Sequence, residues 1–275
     1  MSIESPQAIG EIVLTTAVAR AKDTWGDRLV AAYALGSLAH GGFSIHVSDV
    51  DLGLILSDPV DDRDVGWMDD LATGVKESGI HLADRLSVFW GSLAILSDHA
   101  TGGRFPPLDR LDLKQFGRLL AGRDIRDQLP TPTLRELVVV GAEFALRVLS
   151  RPDVTVQLKN PEVLAASGLV TITKRILFPV RFVFTAGTGE VGMNHSAVEY
   201  FSTAAAGPAV QLANKALEWR DAPPEPGDTA TRKVIEDGLL AIYRVFLDDY
   251  EPRLRAYNRP DLADQFRVWR QQLEV

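Results

Sequence analysis

A segment near the N-terminus concentrates groups that could bind a phosphate and a metal ion. It reads GSLAHGGFSIHVSDVDLGLIL, from Gly36 to Leu56. Side chains alternate along a strand, so we expect Asp49 and Asp51 on one face, about 7 Å apart. Two carboxylates at that spacing repel each other unless a cation lies between them. The pair therefore predicts a site for a hard ion such as Mg²⁺, which favours one or two carboxylates plus phosphate oxygens.

The Gly-Ser pair that opens the segment suits a phosphate. Gly36 and Ser37 end an apolar run, where exposed backbone N–H groups and the serine hydroxyl could hold the anion. Ser48, next to the first aspartate, is a further candidate for nucleotide binding. Either feature alone is more commonly a simple turn or a strand cap, whereas the two together, flanked by apolar runs, are far more specific.

The elements around these residues predict an α+β protein. The runs LVAAYAL, SDVDLGLIL and DRLSVFWGSLAIL are typical of buried strands, and DDRDVGWMDDLATGVKESG of a helix. After the Pro-Thr-Pro stretch in QLPTPTLREL, most segments have helical periodicity. We therefore predict a mixed-sheet domain with flanking helices over residues 1–130 and a C-terminal helical bundle over residues 131–275.

Composition limits the function classes. The 275 residues carry a net charge of -8, so a nucleic-acid partner is not expected. No cysteine is present, which excludes thiolate metal sites and thiol nucleophiles and fits a reducing cytosol. No N-terminal signal peptide and no apolar stretch of the roughly 18 residues that span a bilayer are found, so we predict a cytoplasmic protein without a membrane partner.

The strand, Gly-Ser, eleven intervening residues and Asp-x-Asp resemble the signature of the DNA polymerase β-like nucleotidyltransferase superfamily. The later segment KRILFPVRFVFTAGTGEVGMNHSAVEY resembles the helical domain of the streptomycin/spectinomycin adenylyltransferase family, with Arg181 and Thr188-Gly189 in matching places. Asn194 stands where that family has a lysine.

The resemblance implies a role for each matching residue. Asp49 and Asp51 would bind Mg²⁺ and act in catalysis, with ATP as the nucleotide substrate. Gly36, Ser37, Ser48, Arg181 and Asn194 would contact the nucleotide, with Ser37 and Arg181 both near its phosphates in a cleft between the domains. The acceptor would lie in the same cleft.

Two departures from the family's pattern argue against a drug-modifying function for this chain. The third acidic residue, a metal ligand or general base in the family, corresponds to Ser87. Asp84, the remaining candidate for this catalytic role, lies in the opposite strand phase and needs a bulge to substitute. The acidic residue that binds aminoglycoside amines in the family corresponds to Thr171.

The sequence thus predicts a Mg²⁺-dependent nucleotidyltransferase of the adenylyltransferase type. It would move AMP from ATP to a hydroxyl of a small molecule, an aminoglycoside-like compound being one candidate. Two alternatives stay open: a nucleotide-binding regulator or antitoxin-like protein with weak or no transfer, and an enzyme that modifies another protein.

Overall fold

The computed structural model describes residues 5–275, which form two compact units. The first unit ends at Pro132 and contains the sheet. The second, Thr133–Val275, is built from helices. The predicted α+β fold, a mixed sheet with flanking helices followed by a helical part, is confirmed.

The first unit alternates strands and helices. Its elements are α1 (Pro6–Trp25), β1 (Leu29–Leu35), α2 (Ser37–His40), β2 (Val50–Leu56), α3 (Asp62–Lys76), β3 (Leu86–Ser92), α4 (Leu93–Leu96), α5 (Pro107–Phe116) and β4 (Arg118–Gly122). The strand order is β3-β2-β1-β4. Strand β1 pairs antiparallel with both β2 and β4, whereas β2 and β3 are parallel.

Both faces of the sheet are covered, which explains why β1 and β2 are almost continuously apolar. On one face, residues such as Leu52 and Leu54 pack in a core with α1 and α3. On the other face, Tyr33 and Ile55 pack in a second core with Leu113 of α5. Because both faces of the sheet are covered, a ligand could reach the sheet only at the ends of its strands.

One buried carboxylate connects three elements of this unit. Asp64, in the first turn of α3, has a fully buried side chain and accepts hydrogen bonds from Trp25 Nε1 at 2.8 Å and from both terminal nitrogens of Arg28 at 2.9 Å. Its Oδ2 also accepts from the Asp61 amide, which completes a capping box for α3. Burial raises the pKa of Asp64, but the bonds from Arg28, Asp61 and Trp25 outweigh it and lower the pKa below its ordinary value.

The second unit contains eight helices within the described residues. They are α6 (Leu134–Val148), α7 (Pro152–Lys159), α8 (Pro161–Ala165), α9 (Leu169–Thr188), α10 (Asn194–Ala204), α11 (Pro208–Glu218), α12 (Thr229–Ala256) and α13 (Pro260–Leu273). The central packing is aromatic: Phe182 of α9, Phe246 and Tyr250 of α12 and Phe266 of α13 lie with adjacent ring centroids 4.7–6.4 Å apart.

Several element bounds differ from those read in the sequence. The third strand ends at Ser92, because the Ser92 side chain caps a one-turn helix, α4, rather than continuing the strand. The helix expected from Pro161 onward is divided at Gly168, which has a φ of 87° and separates α8 from α9. None of the helices between residues 5 and 275 combines the length and hydrophobicity that a membrane crossing requires.

We expect Asp64→Asn to destabilise the first unit by about 1–3 kcal/mol at pH 7, because the buried Trp25 and the partly buried Arg28 lose a charged acceptor. The pKa of Asp64 is lowered on folding, so its stabilisation is present above about pH 4 and is lost as the pH falls through the folded-state pKa. The difference in unfolding free energy between parent and variant should therefore shrink in acid. Urea denaturation across the acid range measures it.

Asp69→Asn is the matched control, because Asp69 is an exposed residue of the same helix and loses the same charge. Its unfolding free energy should stay within about 0.5 kcal/mol of the parent. Equal effects of the two substitutions would contradict a structural role for the Asp64 cluster.

Candidate functional site

The candidate site lies at the end of the sheet where β1 stops and β2 and β3 begin. Here Leu35, Asp51 and Ser87 form one row across three adjacent strands, since Leu35 pairs with Asp51 and Asp51 pairs with Ser87. Paired residues project to the same face of a sheet. Asp51 and Ser87 therefore lie side by side, about 4.8 Å apart between strands.

Gly36, directly after β1, turns the chain tightly against Asp51. Its φ is 58°, a conformation that side chains disfavour. A Cβ at this position would also overlap Oδ2 of Asp51. Two independent constraints therefore require glycine at this position: the positive φ and the Asp51 carboxylate that lies against it.

A second carboxylate, which the sequence pattern did not reveal, also contacts this turn. The Gly36 amide donates a hydrogen bond to Oδ2 of Asp112, at 2.6 Å. Asp112 lies on α5 and is only 8% exposed. It carried no recognisable signal because it lies 76 residues from Gly36 and within an ordinary amphipathic helix.

Ser37 starts the short helix α2 and is half-buried. Its backbone carbonyl accepts from the Gly41 amide at 3.1 Å, which closes the helical turn. Among residues 5–275, no protein group hydrogen-bonds the Ser37 hydroxyl, which leaves it available to a ligand.

Ser48 organises the loop between α2 and β2. Its hydroxyl accepts from the Ser44 amide at 2.9 Å, and its own amide donates to the Ser44 carbonyl at 2.9 Å. The loop is fixed further by Arg85, which donates to the Ile45 carbonyl at 2.9 Å. These bonds hold half-buried Asp49, which directly precedes β2, near the strand end. A contact of Ser48 with nucleotide stays a prediction.

The two candidates for the third acidic position occupy different places. Ser87 is the in-register neighbour of Asp51. Asp84 lies in a 3₁₀ turn, Ala83–Arg85, and is exposed. The β2–β3 pairing runs from Val50 to Leu56 without a register shift, so β3 has no bulge that would align Asp84 with Asp51. A catalytic role of Asp84 stays a prediction without support from the strand geometry.

An arginine that the sequence analysis also missed lies beside Ser87. Arg104 donates from one terminal nitrogen to the Val88 carbonyl at 3.0 Å and from the other to Ser87 Oγ at 3.4 Å. Its guanidinium carbon lies 4.9 Å from the centre of the Phe89 ring. Because this contact depends on a long loop returning to β3, no local sequence pattern could have revealed it.

Asp49 and Asp51 are the residues of this site that could hold a metal ion. The described part of the chain contains no group of three or more His, Asp or Glu side chains arranged to bind one. Mg²⁺, however, is usually bound by one or two carboxylates together with substrate phosphates and water. A pair of carboxylates next to the Gly36 turn fits that requirement.

In the helical unit, Arg181 and Asn194 lie on consecutive helices. Arg181 of α9 is half-buried and donates from Nε to the Gly192 carbonyl at 2.6 Å. Asn194 is the first residue of α10 and is also half-buried. Burial, followed by the charge of Arg181, lowers the pKa of Arg220, so two arginines share this region. That Arg181 and Asn194 contact nucleotide phosphates stays a prediction.

Comparisons with known proteins support the fold. No family model matches the chain, and no curated protein matches it in sequence. Among solved structures it is similar to the spectinomycin adenyltransferase AAD(9) from Enterococcus faecialis, determined with ATP and spectinomycin. The TM-score is 0.62 at 12% identity, over 88% of this chain and 99% of that one. The predicted resemblance is thus confirmed at the level of the fold: the chain has an aminoglycoside adenylyltransferase-like nucleotidyltransferase fold.

Proposed function

We propose that this protein is a Mg²⁺-dependent nucleotidyltransferase that moves AMP from ATP to a hydroxyl of a small molecule. The observation that carries the proposal is the contact between Asp51 and the Gly36 turn. It brings a carboxylate and a glycine turn at a helix start together at one end of the sheet, next to Asp49. The fold shared with a protein that was solved with ATP supports the same function.

The chain's own residues would bind and orient the triphosphate. The Ser37 hydroxyl and the turn after Gly36 would hold the outer phosphates, and Asp49 with Asp51 would hold Mg²⁺. When bound, the ion neutralises the charge that develops on the phosphate oxygens and the leaving group. Positioning and charge stabilisation supply most of the rate enhancement in phosphoryl and nucleotidyl transfer. Groups that bind the phosphates and the metal ion would therefore supply the main requirements of the reaction.

A second candidate function is a nucleotide-binding regulator with weak or no transfer. Ser87 is the observation that favours it, because a serine next to Asp51 cannot accept a proton at neutral pH without a base of its own. A general base typically contributes about 10²–10⁴-fold to the rate. Both functions require Mg²⁺-dependent ATP binding, and transfer of label from [α-³²P]ATP separates them.

We expect the double variant Asp49→Asn, Asp51→Asn to lose Mg²⁺-dependent ATP binding by roughly a hundredfold or more, because the two charged oxygen ligands are removed. Isothermal titration calorimetry with and without EDTA measures the effect. Circular dichroism should show a folded protein, since both carboxylates lie at a strand end outside the apolar cores.

The matched control is Asp69→Asn, Asp70→Asn, which removes two charges from exposed positions on α3. Its ATP affinity should equal that of the parent. An unchanged dissociation constant for the Asp49/Asp51 double variant would eliminate the proposed metal site.

Gly36→Ala should abolish ATP binding and destabilise the protein, because the new Cβ meets both an unfavourable φ and the Asp51 carboxylate. The backbone strain alone costs about 1–3 kcal/mol. Calorimetry measures the binding and urea denaturation the stability.

Gly26→Ala isolates the contribution of the contact with Asp51. Gly26 has nearly the same backbone angles, with φ 51° and ψ -125° against φ 58° and ψ -146° at Gly36, but a Cβ there meets no atom within 4 Å. It should lose stability and keep ATP affinity. Retention of full ATP affinity by Gly36→Ala would show that the turn does not take part in binding.

A further inference from the structure

An arginine contacts Ser87, the residue that corresponds to the family's third carboxylate. Ser87 is the in-register neighbour of Asp51, and Arg104 donates to the Ser87 hydroxyl. Guanidinium groups stay protonated at every physiological pH. The side-chain environment next to Asp51 is therefore positively charged where a carboxylate would have made it negative.

This arginine is held in place by the fold and is not a loosely tethered surface side chain. The Arg104 and Trp90 backbones exchange two hydrogen bonds, at 2.8 and 3.0 Å. Gly103, with a φ of 67°, permits this approach, since a Cβ there would lie 2.5 Å from the Trp90 carbonyl oxygen. The guanidinium then rests on the Phe89 ring and the Val88 carbonyl. The loop is thus built to fix one cation over β3.

The bound guanidinium retains donors for a ligand. It has five N–H groups, of which one bonds the Val88 carbonyl and one bonds Ser87 Oγ. Three remain for solvent or a ligand. Among the described residues no carboxylate forms an ion pair with Arg104, and the residue is exposed. A planar group with several free donors is well suited to bind a phosphate or a carboxylate.

The sheet order decides which substrate this cation would meet. Gly36 follows β1, Asp51 lies on β2 and Ser87 on β3, so Asp51 is between the turn and Arg104. In the proposed reaction the outer phosphates lie toward Gly36 and Ser37. An in-line displacement requires the entering and leaving oxygens on opposite sides of the α-phosphorus. The acceptor hydroxyl therefore enters from the β3 side, next to Arg104.

We propose that Arg104 binds an anionic group of the acceptor, so that the acceptor is a hydroxyl compound carrying a phosphate or carboxylate and not a cationic aminoglycoside. This inference rests on the proposed function. The acceptor oxygen forms a bond to the α-phosphorus of ATP, and the bond to the pyrophosphate oxygen breaks with its electron pair leaving on pyrophosphate. The hydroxyl proton passes to solvent. Arg104 orients the acceptor and takes no proton.

The first test measures binding and does not depend on turnover. The parent, saturated with Mg²⁺ and the ATP analogue AMPCPP, is titrated calorimetrically with inorganic phosphate as a probe of the acceptor-side anion site. We expect saturable binding, and a loss of roughly ten- to a hundredfold in Arg104→Gln with AMPCPP affinity unchanged. Arg123→Gln, which removes an exposed arginine beside Val30 at the opposite end of β1, should match the parent.

Each other outcome of this titration overturns the inference. If phosphate does not bind the loaded parent, or binds Arg104→Gln equally well, no anion site exists at Arg104. If Arg104→Gln weakens AMPCPP instead, the arginine serves the nucleotide. If AMPCPP does not bind the parent at all, the proposed function fails as well, and this result is distinct from the first three.

The second test identifies the acceptor class by transfer. Label from [α-³²P]ATP is offered to one pool of sugar phosphates and hydroxy acids and to another of spectinomycin and streptomycin. The parent should label the anionic pool at least roughly tenfold more strongly, and Arg104→Glu should reverse that preference. Label on the aminoglycosides from the parent, or an unchanged preference in Arg104→Glu, would overturn the inference.

Discussion

The close approach of Gly36 to the Asp51 carboxylate is the contact on which the candidate site depends. Only a residue without Cβ permits it, because the position combines a positive φ with an oxygen lying where a side chain would begin. The contact fixes the turn, and the turn fixes the start of α2 and hence the Ser37 hydroxyl. It also connects two strands, since Leu35 and Asp51 are paired immediately before it. The geometry of the candidate site therefore follows from one backbone conformation.

The rest of the first unit keeps that contact in place. Asp112 of α5 accepts a hydrogen bond from the Gly36 amide, so a second carboxylate contacts the turn. On the other side of the sheet, Asp64 joins the end of α1, the entry to β1 and the start of α3. Buried carboxylates that accept several hydrogen bonds restrict conformation strongly, because breaking such a cluster leaves charged groups unpaired. The two apolar cores pack against the faces of the sheet between the Asp112 and Asp64 contacts.

How much of this could be predicted depended on the sequence separation of the partners. The Gly-Ser turn and the Asp-x-Asp motif lie within one short segment, so local patterns were sufficient to place Gly36 after β1 and Asp51 on β2. Asp49, predicted on the same strand, lies one residue before β2 begins. The α+β fold followed from the same local patterns and is confirmed.

Asp112 and Arg104 were missed because they lie 76 and 17 residues away in sequence from the groups they contact. Their contacts arise from tertiary packing, which the periodicity of a local sequence segment does not reveal. Strand β4 was missed for a related reason, since its burial is incomplete and its pairing with β1 is long-range.

The residue paired with Asp51 decides the charge at this end of the sheet. A carboxylate there would add a third negative charge beside Asp49 and Asp51, which would favour a cationic acceptor. Ser87 is neutral and the Arg104 guanidinium beside it is positive, so the local charge differs by two units from that of a carboxylate. A serine also cannot act as a general base at neutral pH without a base of its own, so deprotonation of an acceptor would be harder. A hydroxyl compound with its own anionic group would compensate by binding more tightly and in a fixed orientation, since charge-assisted contacts to a guanidinium are directional. In this arrangement catalysis would depend on orientation of the acceptor and on the ion held by Asp49 and Asp51 rather than on proton abstraction.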